Sequence, residues 1–272
     1  MKFADLHLHT NYSDGTYTPE ELVEKAVGAK LSCISITDHD TVGAIPEAMA
    51  AANASGIEIL PGIEISCEYE LREVHILGYL IDYKSSELLK RLETLKENRI
   101  SRIYKITEKL NALGIGLKAE DVFSVANGAT VGRLHVARAM VLKGLVKTVS
   151  EAFNRYIGDS GPAFSLGFRF TPEEAIKFIH DNAGVAVLAH PYIIKDEELI
   201  FKLIGLGLMG LEVYYPEHTA QMRGKYVSIA KELGLLATGG SDYHGKAKPY
   251  VNLGKSTVPD ELLEALKKAV KK

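Results

Sequence analysis

The sequence predicts an α/β barrel of the TIM type, or a close relative one β/α unit short, with an all-helical insertion. Strand and helix patterns alternate in the first and last thirds of the chain, whereas the stretch between them has only helical patterns. An open doubly wound sheet is the alternative, but no Gly-x-Gly-x-x-Gly follows the first predicted strand. The 272 residues, 46% of them apolar, are enough to bury a sizeable core.

The N-terminal third alternates strands with helices. Its first helix has a clear start, because Thr18 precedes Pro19 and Glu21 completes a capping box. The predicted strands cover 2–9, 33–40, 57–69 and 72–81, and the predicted helices cover 18–30 and 42–56. This order is typical of a parallel sheet with crossover helices.

From Ser85 the pattern changes to helices without a convincing strand. The predicted helices cover 85–114, 118–128, 131–144 and 149–158, and a loop rich in Gly and Ser covers 158–170. We therefore predict a barrel built from residues 1–84 and 169–272, with a helical insertion at 85–168.

The last third returns to alternation and repeats the Thr-Pro-Glu-Glu helix start of residues 18–21, now with Thr171 as the cap. The predicted strands cover 184–191, 210–218 and 235–245, and the helices cover 171–184, 196–207, 218–234 and 259–270. The chain thus has about seven predicted strands with helices between them.

Histidines and carboxylates lie in or at the ends of strand after strand. In a β/α barrel the C-terminal ends of the strands share one face, where catalytic groups collect. A single histidine at a strand end is usually structural, but six of the nine histidines together with three carboxylates predict a metal site. The residues are His7, His9, Asp14, His39, Glu64, His75, His190, Asp242 and His244.

The types of these side chains narrow the metal and the chemistry. Imidazole and carboxylate without a thiolate suit Zn²⁺, Mn²⁺ or Fe²⁺. Nine ligands are too many for one ion, so we expect two or three divalent ions. Such a cluster lowers the pKa of bound water, and attack by a metal-bound hydroxide makes hydrolysis of a phosphoester or an amide the natural reaction.

Eight of these residues lie in six short motifs, namely DLHLHT, TDHD, GIE, VHILGY, AHP and GSDYH, and Asp14 lies four residues after the first motif. In this order they resemble the motifs of the PHP (polymerase and histidinol phosphatase) family. The resemblance implies a distorted (β/α)₇ barrel, a centre of up to three metal ions and, for most members, phosphoesterase activity.

The resemblance also implies how the ligands are shared. His7, His9 and Asp242 would hold the first ion, Glu64 would bridge it to a second ion bound by His75 and His190, and Asp14, His39 and His244 would hold the third. His7, His9, Glu64 and Asp242 are accordingly assigned as catalytic. Asp5 and Asp38 are expected to orient histidines, as carboxylates around metal sites commonly do.

The segment VGRLHVARAMVLKG resembles the branch of this family that carries a helical insertion. That branch includes phosphoesterases acting on nucleoside 3′,5′-bisphosphates such as pAp and a 5′→3′ exonuclease for short RNA with a 5′-phosphate. The insertion would then cover the active site. Arg133 and His135, at a helix start, can donate to a phosphate, so we expect them to bind the substrate phosphate that is not cleaved.

Other polar residues have weaker signals. His218 follows a predicted strand and could face the substrate. Basic residues recur at helical spacing in the long helix; a solvated face is the usual meaning, and a track for an RNA tail is the rarer one. They are Arg99, Arg102, Lys105 and Lys109.

The sequence as a whole therefore predicts a metal-dependent phosphoesterase for a phosphorylated small molecule, in the first place a nucleotide, or for short single-stranded RNA. A histidinol-phosphate phosphatase is the nearest alternative because it shares the metal motifs. A non-catalytic PHP accessory domain is the alternative from a different class. No obligate protein partner is evident.

Composition limits where such a protein works. The net charge of −3 gives no global basic field, and the chain has neither an apolar run of transmembrane length nor a signal-peptide pattern. We expect a cytoplasmic protein without membrane contact. Cys33 and Cys67 lie in strand-like apolar segments and are expected to be buried thiols.

Overall fold

The structure is a computed structural model that describes residues 3–70, 72–167, 170–194 and 196–270. The strands are β1 Phe3–Leu8, β2 Cys33–Ile36, β3 Glu58–Tyr69, β4 Arg72–Tyr79, β5 Val185–Leu188, β6 Gly210–Tyr214, β7 Leu236–Gly239 and β8 Val258–Pro259. The helices are α1 Pro19–Gly28, α2 Ile45–Ser55, α3 Ser86–Ala112, α4 Ala119–Ala126, α5 Arg133–Leu142, α6 Val149–Ala152, α7 Pro172–Asp181, α8 Glu197–Gly205, α9 Ala220–Glu232 and α10 Asp260–Ala269.

The eight strands form a nearly closed barrel surrounded by helices, which confirms the predicted fold class. Their order is β7-β6-β5-β4-β3-β2-β1-β8. The loop after β7 approaches β1, where the His9 N–H donates to the Tyr243 carbonyl at 3.0 Å. The short β8 pairs antiparallel with β1 and is an eighth strand that the sequence pattern did not predict.

One strand runs against the expected parallel arrangement. β4 is antiparallel to both of its neighbours, β3 and β5. The reason is the connection, because Tyr69 pairs with Arg72 and so short a link joins antiparallel strands only. His75, the fourth residue of β4, therefore lies at the same barrel end as the C-terminal ends of the parallel strands.

Capping confirms the predicted helix starts. Thr18 accepts from the Glu21 N–H and Glu21 accepts from the Thr18 N–H, which closes the capping box of α1. Thr171 and Glu174 repeat this arrangement in α7. No helix among the described residues is both long and apolar enough to cross a membrane.

The helix α3 joins two hydrophobic cores. Its first turns pack through Leu88 and Leu92 into the core shared by β3, β4, α7 and α8. Its later turns pack through Ile106 and Leu110 into a separate core of the helices α4 and α5. The division at 84/85 stays a prediction, and the predicted boundary at 168 and 169 lies outside the described residues. Both cysteines are free and buried, as expected.

Candidate metal centre

The centre begins with two histidines of β1 on one face of the strand. Because side chains two residues apart point the same way, both rings enter the C-terminal end of the barrel. The Nε2 atoms of His7 and His9 each lie 3.1 Å from Oε2 of Glu64. The same atoms lie 3.5 and 3.2 Å from Oδ1 of Asp242. His7, His9 and Asp242 form one group of side chains that could hold a metal ion.

Glu64 is the shared carboxylate of the site. Its Oε1 lies 2.7 Å from Nδ1 of His75 and 3.1 Å from Nε2 of His190, on the side away from β1. Its Oε2 also lies 3.3 Å from Nδ1 of His39. His39, Glu64 and His75 form a second group with metal-binding geometry. A bridging role for Glu64 is consistent with these contacts on both oxygens.

A third group lies around Asp14. Its Oδ1 lies 3.2 Å from Nε2 of His244, and its Oδ2 lies 3.9 Å from Nε2 of His39. These three residues and His9 form the third group that could hold an ion. The three groups contain eight of the nine predicted ligands, and the ninth, His190, lies beside Glu64. His9 and His39 each belong to two groups, whereas the resemblance placed each of them in one.

Two buried ring nitrogens indicate that the site suits a cation. His9 Nε2 and His39 Nδ1 are buried and lack a hydrogen-bond partner, although carboxylate oxygens lie nearby. Buried polar atoms without partners are rare in folded proteins. A divalent cation among the same nitrogens and oxygens would satisfy them, so the residues present suit a metal.

The charges of the site shift the pKa values of its predicted ligands in opposite directions. Burial alone would raise the pKa of the Glu64 carboxyl, but the imidazoles of His39, His75 and His7 hold it well below its usual range. Burial lowers the pKa of His39 and of His244. The Glu64 carboxylate is therefore ionised, which is the form that binds metal, and His39 and His244 are neutral. Nearby carboxylates outweigh burial at three other rings: they raise the pKa of His7, and they raise the pKa of His9 and His75 to about 9. A metal ion would therefore have to displace protons from these three rings.

Two turns of the site hold backbone strain. His190, after β5, and Asp242, after β7, have positive φ angles of 29° and 53°. Such angles are uncommon for residues other than glycine and persist where neighbouring groups enforce them. Glu212 enforces one of them, because its Oε2 accepts from the His190 N–H at 2.7 Å. Tyr215 and Lys248 donate to the Asp242 carboxylate at 2.9 and 2.8 Å.

Two carboxylates that the sequence analysis missed orient the histidines. Oε1 of Glu212 lies 2.9 Å from Nδ1 of His7, which turns Nε2 of that ring toward the centre. Oε1 of Glu73 lies 3.2 Å from Nε2 of His75, which turns Nδ1 toward Glu64. A signal for Glu212 existed, because a charged residue in the middle of a buried strand needs a partner.

Neither Asp5 nor Asp38 has a described hydrogen bond to an imidazole. Asp38 reaches His9 only through the Ser13 hydroxyl, which donates to Asp38 at 2.5 Å and lies 3.4 Å from Nδ1 of His9. Asp5 accepts from the backbone N–H groups of Ser241 and Gly254 at 2.8 and 2.9 Å. Asp38 accepts from the backbone and hydroxyl of Thr10 at 2.7 and 2.6 Å. Asp5 therefore fixes loops of the site, whereas Asp38 fixes the turn after β1 and acts on His9 through Ser13.

A cavity of about 720 Å³ opens above the centre. Metal-site residues Asp14, His39, His75 and His244 line one side of it. Glu73 of β4 and residues of the predicted insertion line another side, namely Arg99, Arg102 and Arg133. The loop after β7 contributes Lys246, Lys248 and Tyr250. A binding space with ligand side chains on one side and guanidinium groups on another suits an anionic molecule.

The family model of the PHP domain matches residues 5–158, more than half of the chain. The chain belongs to the PHP family. The predicted membership is thereby confirmed.

Curated relatives of this PHP protein are phosphoesterases. A 5′-3′ exoribonuclease Rnm of Salmonella typhimurium is 34% identical over 92% of this chain and 88% of its own length. A 3′,5′-nucleoside bisphosphate phosphatase of Chromobacterium violaceum is 33% identical over 90% of this chain and 88% of its own length. A crystal structure from Bifidobacterium adolescentis, described as a metal-dependent phosphoesterase, superimposes with a TM-score of 0.89 at 31% identity, covering 97% of this chain and 94% of that one.

Of the two residues predicted to bind phosphate in this PHP protein, Arg133 lines the cavity. Its guanidinium forms ion pairs with Glu73 and with Asp159, and Nη1 lies 2.5 Å from Oδ1 of Asp159. His135 is buried, and its Nδ1 accepts from the Gly132 N–H at 3.1 Å. Burial lowers the pKa of His135 to about 4, so the ring is neutral. His135 does not line the cavity, so its position gives no support to a direct contact with the substrate phosphate.

His218 packs against Tyr215, whose hydroxyl donates to the Asp242 carboxylate. Its Nδ1 donates to the Val213 carbonyl at 2.9 Å, and its ring packs against Tyr192, Tyr215 and Tyr226. Among the described residues it lines neither this cavity nor the smaller one beside it. A direct contact of His218 with substrate therefore gains no support from its position.

The solvated basic face predicted for the long helix is wrong for Arg99 and Arg102. Both side chains are buried, whereas Lys105 and Lys109 are exposed. The basic residues do recur at helical spacing, but the side of α3 that carries Arg99 and Arg102 packs against the barrel and against the loop near Ser165.

Proposed function

We propose that this protein is a metal-dependent phosphoesterase that hydrolyses phosphate esters of nucleotides, either 3′,5′-bisphosphates such as pAp or short 5′-phosphorylated RNA. One observation carries the proposal. The nine predicted ligand side chains lie close together, and four of them line a cavity that is also lined by three arginines. The activities named for the curated relatives are of the same class.

The residues assigned to the ions are the three sets of the family motifs, with Glu64 shared between two of them. We propose two or three Mn²⁺, Fe²⁺ or Zn²⁺ ions, as the imidazole and carboxylate ligands indicate. When bound, such ions lower the pKa of water and neutralise charge on phosphoryl oxygens. His7, His9, Glu64 and Asp242 are the proposed catalytic residues because they provide this environment.

An arginine side chain binds the end of the substrate that is not cleaved. The Arg133 guanidinium is proposed to bind the phosphate that is not cleaved, since it lines the same cavity as the metal ligands. The fork of donors on arginine matches the oxygens of a phosphate. The Asp159 side chain is 44% exposed, so a stronger anion can replace it as the partner of Arg133.

A substrate comparison on metal-analysed protein tests the function. Wild type and Arg133→Ala are assayed with pAp, a 5′-phosphorylated oligoribonucleotide and histidinol phosphate, and the exposed Arg223→Ala serves as the matched control. We expect preference for pAp or RNA, with KM raised at least tenfold in Arg133→Ala and unchanged in the control. Preference for histidinol phosphate with no effect of Arg133→Ala would move the protein to the alternative activity, and no turnover by metal-loaded wild type would contradict an enzyme.

A further inference from the structure

Two arginines from different helices meet at one carboxylate inside the cavity. Arg133 at the start of α5 contacts Oε2 of Glu73 through Nη2. Nη2 of Arg102, from α3, lies 3.6 Å from the same oxygen. All three side chains line the cavity beside the metal ligands. This cluster differs from an ordinary ion pair because two cations share one carboxylate oxygen.

Arg102 has a donor that the described structure does not use. Its Nε donates to the Ser165 carbonyl at 2.7 Å, which fixes the side chain. Its Nη2 is buried and makes no hydrogen bond, and the residue is only 3% exposed. A buried donor without an acceptor is costly, so such a group calls for an explanation by function or by a ligand.

Arg99 provides an internal comparison one helical turn away. It also lines the cavity, but its guanidinium nitrogens donate to Asp40, Ser66 and the Val131 carbonyl at 2.7, 2.7 and 3.0 Å. Those contacts tie α3 to the barrel and to the segment before α5. Arg99 is therefore explained by structure, whereas the free donor of Arg102 is not.

Glu73 faces several groups that a phosphate would also attract. Its carboxylate contacts Arg133, faces Arg102, and lies 3.2 Å from Nε2 of His75. A phosphomonoester dianion has more charge and more acceptor oxygens than a carboxylate, so it competes effectively for guanidinium groups.

We propose that Arg102 and Arg133 together bind the terminal phosphate that is not cleaved, and that Glu73 holds both guanidinium groups in position until this phosphate arrives. The inference rests on the proposed function, because it names the second cation of the same substrate site. The ligand class is a nucleotide with a phosphomonoester group.

Equilibrium binding of AMP and adenosine to the Mn²⁺-loaded full chain tests the inference. AMP retains the phosphate that is not cleaved, and adenosine lacks it. Arg102→Gln should weaken AMP binding at least tenfold and leave adenosine unchanged, and Arg102→Lys should recover part of the loss. The exposed Lys105→Gln on the same helix is the matched control and should bind AMP as wild type does.

We expect Glu73→Gln to increase the affinity for AMP, whereas Arg102→Gln decreases it. The amide has nearly the shape of the carboxylate but no charge, so AMP should bind several-fold more tightly at a Mn²⁺ concentration that keeps the site saturated even though His75 loses its carboxylate partner. A purely structural role for the cluster predicts no such gain. This variant and Arg102→Lys decide the question if circular dichroism shows that Arg102→Gln does not fold.

The two proposals fail separately. If wild type hydrolyses pAp but Arg102→Gln binds AMP normally, or Glu73→Gln does not tighten binding, the two-arginine site is wrong and the phosphoesterase proposal stands. If wild type neither hydrolyses these phosphoesters nor binds AMP, the proposed function fails and the inference fails with it.

Discussion

Glu64 is the carboxylate that most of the imidazoles of the site contact. Its two oxygens lie within 3.3 Å of ring nitrogens of His7, His9, His39, His75 and His190. So many imidazoles around one buried carboxylate cannot all be protonated, because like charges at such distances repel. The rings divide accordingly, because the pKa of His39 is lowered whereas the nearby carboxylates raise the pKa of His7, His9 and His75. Divalent cations would take the place of the protons on these three rings.

Glu212 gives a direct test of how the ligands are oriented. Glu212→Gln replaces the carboxylate at Nδ1 of His7 with an amide, so the ring loses its charged partner. We expect metal affinity to fall about 10- to 100-fold, as measured for other outer carboxylates of metal-binding histidines. Competition with a chelator of known affinity measures the change. The exposed Glu232→Gln is the control, and an unchanged affinity in Glu212→Gln would contradict the orienting role.

The role of a single residue could be predicted only where the residue lies in or near a recognisable sequence motif. Eight of the nine proposed ligands could be predicted because they lie in short motifs in or at the ends of strands, and Asp14 closely follows the first motif. Glu73 and Arg102 were not assigned to the site, because their roles arise from contacts between β4, α3 and α5 that are distant in sequence. Arg133 and His135 are two residues apart in a helix, and the structure shows that only the first lines the cavity.

At the scale of elements, the reversed strand β4 completes the centre. A parallel β4 with the same sequence would place His75 toward the opposite end of the barrel from Glu64. The antiparallel pairing instead sets His75 opposite Ser66, two residues from Glu64 along β3. Both strands can be predicted from the sequence. The direction of β4 is instead decided by the connection between β3 and β4, which is only two residues long.

The contact between β7 and β1 restricts one glycine. A Cβ on Gly240 would lie 2.4 Å from both the backbone N and the Cβ of His7. Gly240→Ala therefore forces β1 and the loop after β7 apart, with an expected loss of about 1–3 kcal/mol in the free energy of unfolding. Because His7 itself is displaced, metal affinity should fall as well. Chemical denaturation and chelator competition measure the two effects.

The control for this substitution is Gly224→Ala in the interior of α9. A Cβ there meets no atom within 4 Å, so the variant should gain about 0.5–1 kcal/mol from helix propensity and reduced chain entropy. If Gly240→Ala is as stable as this control, the close approach of β7 and β1 does not determine the position of His7.

At the scale of the whole molecule, the cavity lies between two cores. The barrel core supports the metal ligands, and the separate core of α4 and α5 supports Arg133. The helix α3 belongs to both cores and places Arg99 and Arg102 between them. Alternating patterns sufficed to predict the barrel and the helices, since periodicity is a local property. The way the helices lie over the barrel mouth depends on buried ion pairs that no local pattern encodes.

Removal of the metal ions should destabilise the entire chain, because the ligands come from β1, β3, β4 and the segments that follow β2, β5 and β7. Ions that bind only the folded state stabilise it by RT ln(1 + [M]/Kd), which is about 2.7 kcal/mol when the free ion is at 100 times its Kd. For a chain of this size that corresponds to a fall of roughly 5–10 °C in Tm on chelation. Asp14→Asn, which removes one ligand carboxylate, should reduce this shift, whereas Asp260→Asn on the first turn of α10 should keep it. Thermal melting at a fixed scan rate, with and without chelator, measures the shift. An unchanged Tm of the metal-saturated wild type on chelation would show that the nine side chains hold the barrel together without ions, and the proposed metal centre would then be wrong.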